Sequence, residues 1–166
     1  MHEYFDAIHE ATKDLDCTLL AEPGRALVAE SGSVLVRVEL RKGNFLYING
    51  GTYGSLFDAG QPKWLYPCRV LNRKDTSEEI EGFSFYGPTC DTMDFMKGPF
   101  MLPADIQEGD YIEIGQLGAY GRTMATRFNG FAPASATIAV KDEPLMTLYD
   151  AEPAKVVPLR KVAKIA

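Results

Sequence analysis

From residue 34 onward, glycine, proline and asparagine cut the sequence into short β-branched and aromatic runs about ten residues apart, and this punctuation restricts the fold more than any other feature. Val34-Leu35-Val36-Arg37-Val38-Glu39-Leu40 is β-branched and partly alternating, and Arg41-Lys42-Gly43-Asn44 is its turn. Phe45-Leu46-Tyr47-Ile48 answers it as a second strand, closed by Asn49-Gly50-Gly51. Residues 64–71 are a third candidate after the Gly60-Gln61-Pro62 turn, and residues 72–79 are a polar loop. Residues 81–86 form a strand, residues 99–106 a proline-punctuated connection, and Asp110-Tyr111-Ile112-Glu113-Ile114 alternates cleanly. Residues 123–128 and 137–140 supply two more strands. The series predicts a mainly β domain over residues 34–150, an antiparallel sandwich or Greek-key barrel.

Residues 1–33 read differently. Phe5, Ile8, Thr12 and Leu15 recur at helical spacing, with Glu3, Asp6, Glu10, Lys13 and Asp14 on the other face, which predicts a helix ending near Asp16. Cys17-Thr18-Leu19-Leu20-Ala21 follows as an apolar run without alternation, the pattern of a strand buried on both faces. Residues 26–33 are a short helix or a strand lead-in. Helix, buried strand and then polar Glu22-Pro23-Gly24-Arg25 is how one unit of an α/β barrel reads. One helix and one strand cannot close a barrel, so residues 1–33 are expected to be the terminal piece of a larger, severed barrel. Residues 151–166 are expected to be a basic, weakly docked tail.

Composition narrows the partners. A formal net charge of −6 over 166 residues argues against a nucleic-acid surface and fits a cationic ligand. Cys17, Cys68 and Cys90 are too widely spaced for a zinc site and read as reduced thiols in the cytoplasm. No run of eighteen apolar residues directs the chain to a membrane.

Chemistry gathers in Phe85-Tyr86-Gly87-Pro88-Thr89-Cys90-Asp91-Thr92-Met93-Asp94. Gly87-Pro88 ends the strand, so a thiol and two carboxylates are presented on a loop, where Cys90 and Asp91 can face one cavity. A lone cysteine is by default a small buried hydrophobe. Asp94 reads as a structural or capping carboxylate.

Six motifs together spell a family. Ala21-Glu22-Pro23-Gly24-Arg25, Gly50-Gly51-Thr52-Tyr53-Gly54-Ser55, Gly87-Pro88-Thr89-Cys90-Asp91, Gly109-Asp110-Tyr111, Gly118-Ala119-Tyr120 and Phe128-Asn129-Gly130-Phe131 occur in the order and near the spacing of ornithine decarboxylases. The chain resembles the C-terminal portion of that pyridoxal-phosphate family, which has the alanine-racemase-like fold. The match runs from the helix before Glu22 to about residue 140.

The resemblance implies roles residue by residue. Glu22 looks like the carboxylate facing the pyridine nitrogen of pyridoxal 5'-phosphate, Arg25 and Tyr120 like phosphate ligands, and Gly24 like the residue that lets the chain turn between them. Cys90 looks like the acid that returns a proton to the substrate α-carbon, and an ordinary thiol, with a pKa near 8.5, is protonated at neutral pH. Asp91 looks like the carboxylate that holds the distal ammonium of a basic amino acid. Asp58 looks like a second one, although Phe57 stands where the family has tyrosine. Phe128 resembles an aromatic residue near the partner's site, with core packing as the competing reading. A metal is not implied.

The same resemblance implies a homodimer with shared sites, Cys90 and Asp91 reaching into the neighbour. It implies decarboxylation of ornithine, with lysine as second candidate, to putrescine or cadaverine in polyamine synthesis. Cys90-Asp91-Thr92 favours this over diaminopimelate decarboxylases, where Cys-Glu-Ser is usual. A non-catalytic regulator of the antizyme-inhibitor type is the alternative from another class. The family's Schiff-base lysine lies in the barrel half, and no lysine here has a matching context, so this chain alone is expected to be inactive and to need a separate or cleaved barrel chain.

Overall fold

A computed structural model describes residues 2–131 and 136–147. The chain divides into two compact units, one formed by Met1–Cys17 with Thr147–Ala166 and the other by Thr18–Met146. The first holds helix α1, His2–Thr12, on which Tyr4, Phe5 and Ile8 are exposed. Thr12 closes its last turn by donating its hydroxyl to the Ile8 carbonyl at 2.7 Å.

The second unit is built on six strands, β1 (Val34–Lys42), β2 (Phe45–Ile48), β3 (Cys68–Val70), β4 (Ile80–Tyr86), β5 (Phe95–Pro103) and β6 (Tyr111–Ile114). They form one sheet in the order β3-β6-β1-β2-β4-β5. It curls into a nearly closed barrel, with the end strands β3 and β5 in contact. Alternation sets the inner face: Val36 and Val38 of β1, Leu46 and Ile48 of β2, Phe83 and Phe85 of β4, and Ile112 and Ile114 of β6 are all buried. Phe85 stacks on Phe100 of β5 with ring centroids 4.3 Å apart. Every pairing is antiparallel except β2 with β4, which is parallel.

Four expectations are corrected. Residues 17–21 are not a strand: no neighbouring strand pairs with them among the described residues, and Leu20 is 91% exposed. Residues 99–106, read as a connection, belong largely to β5, because a strand at the end of the order tolerates the donor that Pro99 lacks. Residues 123–128 are not a strand but a turn and an irregular stretch leading into a 3-10 turn at Phe128, and the amides of Met124, Ala125 and Thr126 go to the Tyr120, Arg122 and Tyr53 carbonyls rather than to a ladder. Residues 137–140 are likewise not a strand, and Ile138 and Val140 are exposed. The tail expected at residues 151–166 lies outside the described residues.

Two short helices dress the sheet, α2 (Arg25–Val28) and α3 (Phe57–Gly60). The α2 segment is tied to the loop after β6: Leu117 donates its amide to Gly32 O at 2.8 Å and Gly118 to Ala29 O at 2.9 Å. That docking sets Arg25 beside residues 119 and 120.

Candidate functional site

Two clusters bring the sequence-marked residues together. In the first, Arg25 at the start of α2 reaches Asp58 on α3, with Nη2 2.5 Å from Oδ2. Its guanidinium lies 4.1 Å from the Trp64 ring centre and 5.0 Å from that of Tyr120. Tyr66 donates its hydroxyl to Asp58 Oδ2 at 3.4 Å. Burial, and then the Asp58 charge, push the Tyr66 phenol above its usual pKa, so it stays a donor. Tyr120 is 53% exposed. Glu22 stands exposed three residues before Arg25 and, among the described residues, makes no polar contact with this cluster.

The second cluster is the loop between β4 and β5. Asp94 is 1% exposed and ties the loop to the segment after β2. Its Oδ1 accepts from the Thr52 amide at 2.7 Å, and its Oδ2 from the Thr89 amide at 3.0 Å and hydroxyl at 2.8 Å. Glycine is required opposite it: a Cβ on Gly51 or Gly87 would stand 2.2 or 2.1 Å from Asp94 Oδ1. The structural reading of Asp94 therefore holds.

This anchor displays Cys90 and Asp91. Cys90 is exposed, with Asn129 Nδ2 3.5 Å from its sulfur. Asp91 accepts from the Met93 amide at 2.9 Å and from the Tyr53 hydroxyl at 2.6 Å. These two bonds, the Met93 amide first, hold its carboxyl below the usual carboxylate range. Phe128 stacks on Tyr53 at 4.2 Å, so it packs on the loop's support rather than in the core. A small cleft beside them is lined by Gly51, Tyr53, Pro88, Thr89, Asp94 and Phe131.

Tyr53 and Asn129 lie inside the family motifs and Trp64 at the start of a candidate strand, and no local pattern gives any of the three a role in the site. Their partners lie 38, 39 and 39 residues away in sequence for Tyr53–Asp91, Trp64–Arg25 and Asn129–Cys90, and local pattern carries no trace of that.

Comparison with known proteins decides the family. Residues 17–118 match the model for "Pyridoxal-dependent decarboxylase, C-terminal sheet domain". The chain belongs to this family. The sheet domain is 30% identical over 162 residues to the diaminopimelate decarboxylase of Helicobacter pylori, covering 92% of this chain and 38% of that protein. It is 31% identical over 137 residues to antizyme inhibitor 2 of Xenopus laevis, covering 70% of this chain and 29% of that one. The lysine/ornithine decarboxylase of Vibrio vulnificus, solved with cadaverine, superposes with a TM-score of 0.61 at 30% identity, over 80% of this chain and 37% of that one. The sheet domain thus spans well under half the length of these relatives.

The donor set of the first cluster fits the family's cofactor. A phosphate monoester calls for a guanidinium fork and a hydroxyl, which Arg25 and Tyr120 carry, with Arg25 held by Asp58 until a phosphate displaces it. The space beside Gly24 is open and its φ is −110°, so a side chain there would meet no clash. Among the described residues no His/Cys/Asp/Glu group could hold a metal ion, and no helix is long and apolar enough to cross a membrane.

Proposed function

We propose that this chain supplies the sheet-domain part of the active site in a pyridoxal-phosphate-dependent decarboxylase acting on ornithine or lysine and releasing putrescine or cadaverine. The observation that carries the reading is the loop after β4, which presents an exposed thiol beside a carboxylate held in its charged form. When bound, the cofactor supplies the electron sink that lets carbon dioxide leave the substrate α-carbon.

The barrel part contributes the lysine that carries the cofactor, and this chain's residues hold, orient and protonate. Arg25 and Tyr120 hold the phosphate end, and Glu22 faces the ring nitrogen. The Asp91 carboxylate binds the distal ammonium, Asp58 joins it once Arg25 is engaged elsewhere, and Phe128 lines the same side. After carbon dioxide leaves, Cys90 Sγ–H gives its proton to the α-carbon, and the thiolate regains one from solvent.

The resemblance to the decarboxylases supports a homodimer in which the Cys90 loop of one protomer completes the Arg25 cluster of its partner, with the barrel part present as well. Three unpaired thiols fit a reducing cytoplasm.

Two other readings have a similarity behind them, to diaminopimelate decarboxylase and to antizyme inhibitor. A steady-state assay with the barrel part supplied separates all three. The proposal expects ornithine and lysine to be turned over well ahead of diaminopimelate. Equal or faster turnover of diaminopimelate favours the second reading, and failure to take up cofactor favours the third.

A further inference from the structure

Tyr53 has a phenol with one well-defined task. Its hydroxyl donates to Asp91 Oδ2 at 2.6 Å, while Asp91 Oδ1 accepts from the Met93 amide at 2.9 Å. The ring is stacked on Phe128, with planes 25° apart, and the Tyr53 carbonyl accepts from the Thr126 amide at 2.8 Å. Ring and backbone are both fixed, so the hydroxyl is delivered to one place.

A carboxylate offers about four lone-pair sites. Tyr53 and Met93 occupy one on each oxygen, which fixes the carboxylate plane and leaves about two sites for a further donor on a half-buried side chain. We infer that Tyr53 is a positioning residue, which aims Asp91 at the substrate's distal ammonium and so sets the preference for a cationic substrate end. The inference rests on the reading that Asp91 meets that ammonium.

Charge supports the geometry. Both donors favour the ionised form of Asp91, and the same bond pushes the Tyr53 phenol above its usual pKa. Among the described residues the other charge acting on Tyr53 is Asp94, whose oxygens are turned to Thr52 and Thr89. Tyr53 thus remains a donor, and Asp91 an anion, through the neutral range.

Tyr53→Phe keeps the ring on Phe128 and removes only the hydroxyl. Two measurements test it: a carbon-13 NMR titration of the Asp91 carboxyl in the full chain, and steady-state kinetics with the barrel part supplied. The titration midpoint of Asp91 should rise toward the ordinary carboxylate value. KM for ornithine should increase about tenfold, with kcat within about twofold, and the preference for ornithine over norvaline, which lacks the distal amine, should narrow by a similar factor. An unshifted titration overturns the assignment of Tyr53 and leaves the role of Asp91 standing. A shifted titration with unchanged KM and unchanged preference overturns the inference through its premise, because Tyr53 then holds a carboxylate that does not meet the ammonium.

Discussion

Arg25 and Asp58, 33 residues apart in sequence, form an ion pair at 2.5 Å beneath the rings of Trp64 and Tyr120. The pair occupies the guanidinium that a phosphate would need. Asp58→Asn should therefore tighten the binding of inorganic phosphate by about fivefold, the worth of a roughly 1 kcal/mol pair, while Arg25→Ala should abolish it. Phosphorus-31 line broadening on the full chain reads this. Weaker binding in Asp58→Asn would show that Asp58 orients Arg25 rather than competing for it.

Gly87→Ala should damage the loop without touching Cys90 or Asp91. The added methyl would meet the Asp94 carboxylate, with all three of its outer atoms within 2.3 Å. Overpacking of this kind costs about 1–3 kcal/mol, read as a lower midpoint in urea unfolding. An unchanged midpoint would mean that the contact between the two segments relaxes freely.

The three thiols should separate by reactivity. Cys17 and Cys90 are exposed, whereas burial pushes the Cys68 thiol up to about 12 and its sulfur is turned to the Tyr66 carbonyl at 3.4 Å. Cys68 is half-buried, so at pH 8 a disulfide reagent should consume two thiols quickly and the third much more slowly. Rapid reaction of all three would contradict the placement of β3.

How much of this was legible in the sequence depends on whether a residue's partner is local. β1, β2, β4 and β6 follow from alternation, because Val36, Val38, Leu46, Phe83, Phe85, Ile112 and Ile114 need only a common inner face. β5 was hidden by Pro99, whose tolerance depends on the strand lying at the end of the order. Residues 17–21 look like a doubly buried strand only if strands stand beside them. The loop chemistry was marked by Gly87, Cys90, Asp91 and Asp94, yet its support by Tyr53 and Phe128 is a matter of tertiary placement.

Phe85→Ala tests the core on which both clusters rest. The ring is fully buried and stacked on Phe100, so its loss should cost about 3–5 kcal/mol in denaturant unfolding. A cost below about 1 kcal/mol would place the core elsewhere.

The return of the proton by Cys90 is tested by the ratio of diamine formed to carbon dioxide released by Cys90→Ala with the barrel part supplied. The wild-type protein should give one diamine per carbon dioxide. The variant should bind cofactor with unaltered absorbance but form fewer diamines than carbon dioxide, because the α-carbon is no longer protonated reliably. A one-to-one ratio at an unchanged rate would contradict the assignment and leave Cys90 a bystander on the loop.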